Sequence, residues 1–298
     1  MAEIHDFETI QDYNDFLGVE TLHPLVSVVN MERLGCLHRV LHRFGFYCVF
    51  LKDFNCGLMQ YGRSSYDYRE GTLLYIGPNQ VAGSSEGTVV PTHKGWILMF
   101  HPDLLLGTPL AGRMHEYSFF SYTSNEALHM SEREKKTIVS SLQNIEEELQ
   151  NPVDKHSKQI IVANIEVFLN LSKRFYDRQF ISREETNKSV VASFDNFLNA
   201  YFSSKQPRQN GLPTVAMCAS HVHLSPNYFG DLMKKATGKS AQEYIQQFIV
   251  ARAKEMLFDD KLTISEIAYN LGFSYPHHLS RMFKKVTGVT PNEYRAVN

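Results

Sequence analysis

Cysteine is scarce in this chain, with four in 298 residues, at Cys36, Cys48, Cys56 and Cys218. The spacing gives neither a CxxC pair nor a regular framework, which excludes a disulfide-stapled scaffold and a zinc ribbon. Reduced thiols in a cytoplasmic protein are expected, with a Cys48 and Cys56 redox pair as the alternative if strands bring the two together. Long hydrophobic runs are missing as well. No run approaches the roughly 20 apolar residues that a bilayer-crossing helix needs. Residues 1–19 are acidic and polar, without the basic and apolar pattern of a secretory leader, so no membrane partner is expected. Also absent are a G-x-S-x-G elbow, a Walker-type phosphate loop and an H-E-x-x-H helix. Of the thirteen His, only His221 and His223 stand in His-x-His spacing. The expectation is a chain with no catalytic residues, no metal and no cofactor.

Charge of one sign is also lacking overall, since the net charge is −2, but its distribution is uneven. Residues 211–298 hold ten Lys and Arg against seven Asp and Glu, and the remaining 210 residues hold 20 against 25. A mildly basic end on an acidic body fits a protein whose contacts with a polyanion are confined to that end.

What the chain does contain is a repeat. One copy reads Val215, Ala219, Leu224, Phe229, Met233, Lys234, Lys235, Thr237, Gly238, Glu243, Tyr244. The other reads Ile264, Ala268, Phe273, Leu279, Phe283, Lys284, Lys285, Thr287, Gly288, Glu293, Tyr294. The offset is 49 in the first part and 50 in the second, so the second copy holds one extra residue near residues 274–277. A turn tolerates such an insertion where a helix does not.

Each copy carries helix punctuation. Thr263 with Glu266 forms a capping-box pattern, in which hydroxyl and carboxylate each take the other's backbone N–H, and Thr214 holds the matching place. Ser225 before Pro226 reads as a cap followed by a proline in the first helical turn, and Pro276 serves likewise. Both second helices end in Lys-Lys-x-Thr-Gly, which puts cations at the negative end of the helix dipole and Gly where a left-handed cap is needed. Ser240 with Glu243, and Thr290-Pro291 with Glu293, open the helices that follow. Short helix, tight turn, second helix and Gly stop, written twice, make a double helix-turn-helix pattern that points to double-stranded DNA.

The stretches IAYNLGFS, LSRMFKKVTGVTPNEYR and LSPNYFGDLMKKATGKSAQEYI resemble the AraC/XylS family of bacterial transcription regulators over residues 188–298. The resemblance implies two reading helices, residues 225–237 and 275–287, in successive major-groove segments about 34 Å apart. A joining helix over residues 241–258 would bury Tyr244, Ile245, Phe248, Ala253, Met256 and Leu257. Base-reading positions would be Asn227, Tyr228, Gly230 and Asp231 in the first unit, and His277, His278, Ser280 and Arg281 in the second. Arg281 has the guanidinium fork suited to guanine O6 and N7. Gly230 and Asp231 suit a reading face poorly, so the first unit is expected to position more than it specifies. Lys234, Lys235, Lys284 and Lys285 are expected at phosphates, setting affinity and salt dependence without naming a base.

The first half is rich in short apolar and aromatic runs, residues 26–29, 46–51, 58–61, 72–76 and 96–100, separated by turn chemistry. Many short strands favour a barrel or sandwich. YGRSSYDYREGTLLYIGPNQV and GWILMFHPDLL resemble the sensor half of the same family, which implies a cupin-like β-barrel. Arg39, Tyr47, Tyr61, Tyr68, Trp96 and His101 are the candidate residues for binding a small-molecule effector. The alternatives are a DNA-anchored metallo-cupin enzyme and a constitutive regulator whose barrel is only scaffold. A metallo-cupin would need clustered His and Glu ligands, and His38 with His42 is the one candidate chelating pair in the first half.

Ser131 with Glu134 opens a helix to about residue 150, and a second helix follows from about 155 to 176 beyond Pro152. They are expected as an antiparallel pair within residues 131–176, which the resemblance makes the homodimer interface, with packing on the barrel alone as the alternative. The resemblance also implies RNA polymerase as a partner. The fold class expected is α+β: residues 1–176 a cupin-like sensing and dimerisation domain with a helical pair, 177–187 a polar linker, and 188–298 an all-α double helix-turn-helix domain. The acidic, aromatic arm carrying His5, Phe7, Tyr13 and Phe16 either folds over the barrel mouth or is a tail.

Overall fold

The computed structural model describes residues 4–38, 40–53, 58–61, 64–67, 71–83, 89–91 and 94–297. They form two compact units, residues 1–182 and 183–298.

The first unit begins with β1 (Ile4–Phe7) and α1 (Ile10–Leu17). Thr9 and Asp12 cap that helix reciprocally, at 2.9 and 3.1 Å. The strands that follow are β2 (Val26–Asn30), β3 (Cys36–His38), β4 (Leu41–Phe44), β5 (Tyr47–Lys52), β6 (Leu58–Tyr61), β7 (Ser64–Asp67), β8 (Thr72–Ile76), β9 (Val81–Gly83), β10 (Val89–Pro91) and β11 (Gly95–Phe100). Two short helices, α2 (Pro102–Leu105) and α3 (Pro109–Arg113), lead to the two-residue strand β12 (Leu128–His129).

The largest sheet is antiparallel, in the order β12-β8-β5-β11-β2. A three-stranded sheet runs β1-β4-β9, and β3 with β10 and β6 with β7 make two antiparallel pairs. The β-rich first half expected from the sequence is present. Among the described residues its strands lie in four separate sheets and do not close into a barrel.

β8 and β11 are buried along their whole length because both faces of the large sheet are covered. Side chains alternate across a strand. Cys48, Leu74, Ile76, Ile97 and Met99 therefore share one face, where they join a core with Phe7, Ile10, Tyr13, Phe44 and Phe46. The opposite face carries Val49, Leu51, Leu73, Tyr75, Trp96, Leu98 and Phe100. Tyr75 lies there 4.4 Å from the Phe119 ring and 6.1 Å from that of Tyr176.

The aromatic arm is folded, not a tail. β1 pairs in parallel with β4, and Phe7, Tyr13, Phe16 and Phe44 surround the His42 ring at 5.5 to 5.6 Å. His42 is 8% exposed and its Nδ1 has no partner. Burial, with His5 nearby, pushes its pKa down to about 4, so the ring is neutral at pH 7. The ring is enclosed by aromatic neighbours, and the side chain of His38, its expected chelating partner, lies outside the described residues. Cys48 and Cys218 are buried free thiols, and Cys56 lies outside the described residues.

α4 (Glu132–Gln150) and α5 (Ser157–Ser182) cover the large sheet. The expected Ser131 and Glu134 capping box is formed, at 2.8 and 3.3 Å. Arg178, near the end of α5, donates to Glu134 at the start of α4 at 2.8 and 3.0 Å, which makes the pair antiparallel. α5 does not stop at residue 176. Gln179 and Phe180 are buried, and the Gln179 amide accepts from the His129 N–H and donates to the Ala127 carbonyl. Those bonds tie the polar stretch to the backbone around β12. Residues 177–182 thus extend α5 and 184–187 open the next helix, so the polar stretch that composition offers as either a linker or a helical extension is helical.

The second unit is all α: α6 (Glu184–Ser203), α7 (Gln206–Asn210), α8 (Val215–His221), α9 (Pro226–Thr237), α10 (Ala241–Leu257), α11 (Ile264–Asn270), α12 (Pro276–Thr287) and α13 (Pro291–Val297). Phe194 of α6 anchors its core, edge-on to Phe229 at 5.1 Å and 5.5 Å from Tyr244. The Tyr244 hydroxyl donates to Asp195 at 2.8 Å. Burial first, and that carboxylate second, push its pKa up to about 12.

Candidate nucleic-acid interface

α8 with α9, and α11 with α12, are the two helix-turn-helix units, and the structure reproduces the repeat in detail. The first helices are offset by 49 positions and the second helices by 50. Thr214 accepts from the Met217 N–H and Thr263 from the Glu266 N–H, at 3.1 and 3.2 Å. Past the first helix, the Leu224 N–H donates to Ala219 and the Phe273 N–H to Ala268, each at 3.0 Å. Register is therefore shared through Phe273, which places the extra residue at 274–275. The turn spans residues 222–225 in the first unit and 271–275 in the second.

Both second helices end alike. Gly238 (φ 74°) and Gly288 (φ 87°) take the left-handed cap, their N–H groups bonding Lys234 and Lys284 carbonyls at 3.0 and 2.8 Å. Ser240 with Glu243 and Thr290 with Glu293 then cap the next helices reciprocally, at 2.7 to 3.2 Å. Bonds from Ser240 and then the field of Lys234 and Lys285 hold the Glu243 carboxyl below its usual range. Thr290, then Lys284, do the same for Glu293. Lys234, Lys284 and Lys285 themselves remain exposed on the surface.

α10 joins the two units and packs on α9, α11 and α12. Ile245, Ala253 and Leu257 of its expected stripe are buried. Tyr244, Phe248 and Met256 are half-buried, and Ile249 and Val250 are buried in addition.

The expected base-reading residues separate into two groups. Asn227, His277, His278 and Arg281 are exposed, and Gly230, Asp231 and Ser280 are half-buried. Arg281 has no ion-pair partner among the described residues. The Ser280 hydroxyl points back to the Pro276 carbonyl at 3.4 Å. Tyr228 does not belong on the reading face. It is 4% exposed and lies in the apolar stripe Tyr228, Phe229, Leu232, Met233 of α9. The spacing of that stripe at i, i+1, i+4, i+5 was the sequence signal for it. The exposed residue that the sequence reading passed over is Tyr275, at the N-cap of α12 and 59% exposed.

Of the expected effector residues, the side chains of Tyr47, Trp96 and His101 are described. Tyr47 and Trp96 lie on the large sheet's second face, opposite the Cys48, Ile97 and Met99 core. Tyr47 is stacked on Phe100 at 4.9 Å and edge-on to Phe120 at 4.8 Å. His101 caps α2, its Nδ1 accepting from the Asp103 N–H at 3.2 Å. Arg39 and Tyr68 fall outside the described residues, as does the side chain of Tyr61. Among the described residues no three His, Cys, Asp or Glu side chains converge to hold a metal ion. His221 is stacked on Phe197 at 4.4 Å.

Residues 218–296 match the family model for a helix-turn-helix domain. The regulatory protein PocR of Salmonella typhimurium is 39% identical over 77 residues, which is 26% of this chain and 25% of that protein. The arabinose operon regulatory protein of Escherichia coli is 34% identical over 116 residues, 38% of this chain and 39% of the relative. The chain thus spans well under two thirds of the length of these relatives. The C-terminal domain of AraT, a response regulator from Geobacillus stearothermophilus, is 28% identical, covers 37% of this chain and 85% of its own, and superposes with a TM-score of 0.32. Residues 183–298 are thus an all-α unit that contains a double helix-turn-helix domain. Over that stretch the chain is similar to regulators of the kind to which the sequence motifs pointed.

Proposed function

We propose that the chain is a sequence-specific transcription regulator that reads double-stranded DNA through α9 and α12, with the first unit as its regulatory half. The observation that carries this reading is the paired geometry of two helix-turn-helix units, with matched caps, matched Gly stops and exposed faces bearing Asn227 in one and His277, His278 and Arg281 in the other. Lys234, Lys235, Lys284 and Lys285 supply the phosphate contacts that set affinity and salt dependence. Arg281, exposed and without an ion-pair partner among the described residues, supplies direct base readout at a guanine.

In this reading an effector acts by linkage. It binds one arrangement of the first unit better than another, and shifts the DNA-competent population by no more than that difference in affinity. The cupin-like barrel and its ligand belong to this proposal, as does RNA polymerase as a partner. A homodimer through residues 131–176 is part of it as well. Ile160 and Val167 of α5, one heptad apart and 42% and 52% exposed, provide an apolar stripe for a second copy. Pairing two copies would make the second docking event intramolecular.

The test is selection of bound sequences from a random duplex pool by the purified full-length chain at fixed salt. A motif of two elements about one helical turn apart is the expected result. Arg281→Ala should then relax preference at one base pair by roughly 1 to 3 kcal/mol, while Lys284→Ala weakens all sites alike. Equal weakening by both substitutions would remove Arg281 from the reading face.

A further inference from the structure

The extra residue of the second turn changes what begins the reading helix. In the first unit Ser225 caps α9, its hydroxyl accepting from the Tyr228 N–H at 3.2 Å. In the second unit the chain arrives one residue later and the N-cap is Tyr275 (φ −137°), whose side chain makes no capping bond. A phenol cannot reach back to the first-turn amides as a Ser hydroxyl does, so α12 begins without the cap that its counterpart has. The ring is not buried in compensation, since Tyr275 is 59% exposed. It lies against His277 and His278, at 5.6 and 5.7 Å between centroids, and the two imidazoles are 4.2 Å apart. His277 and His278 stand four and three residues before Arg281, so all three rise on the same side of the helix. The three rings carry the Arg281 face one further turn toward the start of α12.

A local rule broken at an exposed position, with no gain inside the fold, marks a residue kept for an outside contact. Resting on the DNA-reading proposal above, we infer that Tyr275 is a specificity-determining residue of the second reading head, its ring packing on the C5-methyl of a thymine beside the base pair that Arg281 reads. The major groove displays that methyl, and apolar side chains recognise it by contact. A ring braced by two imidazoles meets it without having to be ordered on binding.

The test uses the full-length chain and the motif selected by it. Each thymine of the motif is replaced in turn by uracil, which removes the methyl and leaves the hydrogen-bonding edge intact. The wild-type chain should lose about fivefold in affinity at one position in the second element. Tyr275→Phe should keep that sensitivity. Tyr275→Ser should lose it, while supplying the missing cap and raising the melting temperature by about 2 °C, so that weaker discrimination cannot be ascribed to unfolding. Uracil sensitivity unchanged in Tyr275→Ser, or absent from the wild type, overturns the assignment of Tyr275 and leaves the DNA reading intact. Failure of the wild-type chain to select any motif overturns the DNA reading itself.

Discussion

The two helix-turn-helix units make the same left-handed turn with different residues. His223 takes φ 58° in the first and Gly272, at the matching position, takes φ 90° in the second. Conformation alone does not dictate the glycine, because a histidine holds the equivalent place. Surroundings do. A Cβ on Gly272 would lie 2.8 Å from the Gly211 backbone and from the Pro207 carbonyl, since the stretch around α7 packs directly on the second turn. His223 is exposed, so its side chain is accommodated and the cost is backbone strain alone. One backbone shape thus sets two different sequence constraints, according to what covers it.

The largest test of that contrast is Gly272→Ala. Left-handed strain plus overpacking against backbone that cannot rotate away should cost about 3 kcal/mol or more, read as a shift in denaturant midpoint of the full chain. His223→Ala should change the midpoint by no more than a few tenths of a kcal/mol, and equal losses at the two positions would mean that packing around α7 is not the cause. Next comes the cap. Ser225→Ala should cost about 1 kcal/mol, whereas Tyr275→Ala, with no capping bond to lose, should stay within about 0.5 kcal/mol.

A smaller effect of opposite sign is expected from His223→Gly. Relief of left-handed strain outweighs the added chain entropy by about 0.5 kcal/mol, and a loss of stability there would show that His223 makes a contact worth more than its strain. The smallest effect is in pH. Bonds from the Thr263 backbone and then its hydroxyl hold the Glu266 carboxyl below its ordinary value of 4.5. A carboxyl lowered by folding adds stability that is present above the unfolded value and lost as pH falls through the folded one. Thr214 faces Met217 in place of a carboxylate, so α8 carries no such dependence. Glu266→Gln should therefore flatten the midpoint of unfolding below about pH 4.5, and Met217→Gln should leave it unchanged.

Most of the second unit was legible because its signals are local. Thr263 and Glu266, or Ser240 and Glu243, bond across three residues, so spacing alone specifies the cap. The one-residue step in the repeat could be placed for the same reason. Helix phase was harder. Tyr228 reads as a polar-tipped residue near the start of a reading helix, and only its place beside Phe229 and four before Leu232 puts it inward. In the first unit the difficulty was two-sided burial. When both faces of a sheet are apolar, as at β8 and β11, alternation no longer tells which face a residue joins. The polar run over residues 177–187 misled by composition. Gln179 is buried because its amide bonds residues 127 and 129, partners fifty positions away that no local pattern announces.

The joining helix has a consequence for how such a chain can change. Residues 274–275 sit in a turn, where one residue more or less is absorbed by the loop. α10 spans seventeen residues of continuous helix, about 25 Å, in which each added residue rotates everything beyond it by about 100°. Lengthening α10 by one residue would swing α11 and α12 off their shared surface and turn one head away from the other. The duplicated domain is therefore free to drift in length at its corners and locked to whole turns along its spine, so new operator spacings are more accessible through a change of DNA shape than through a change of the protein between its heads.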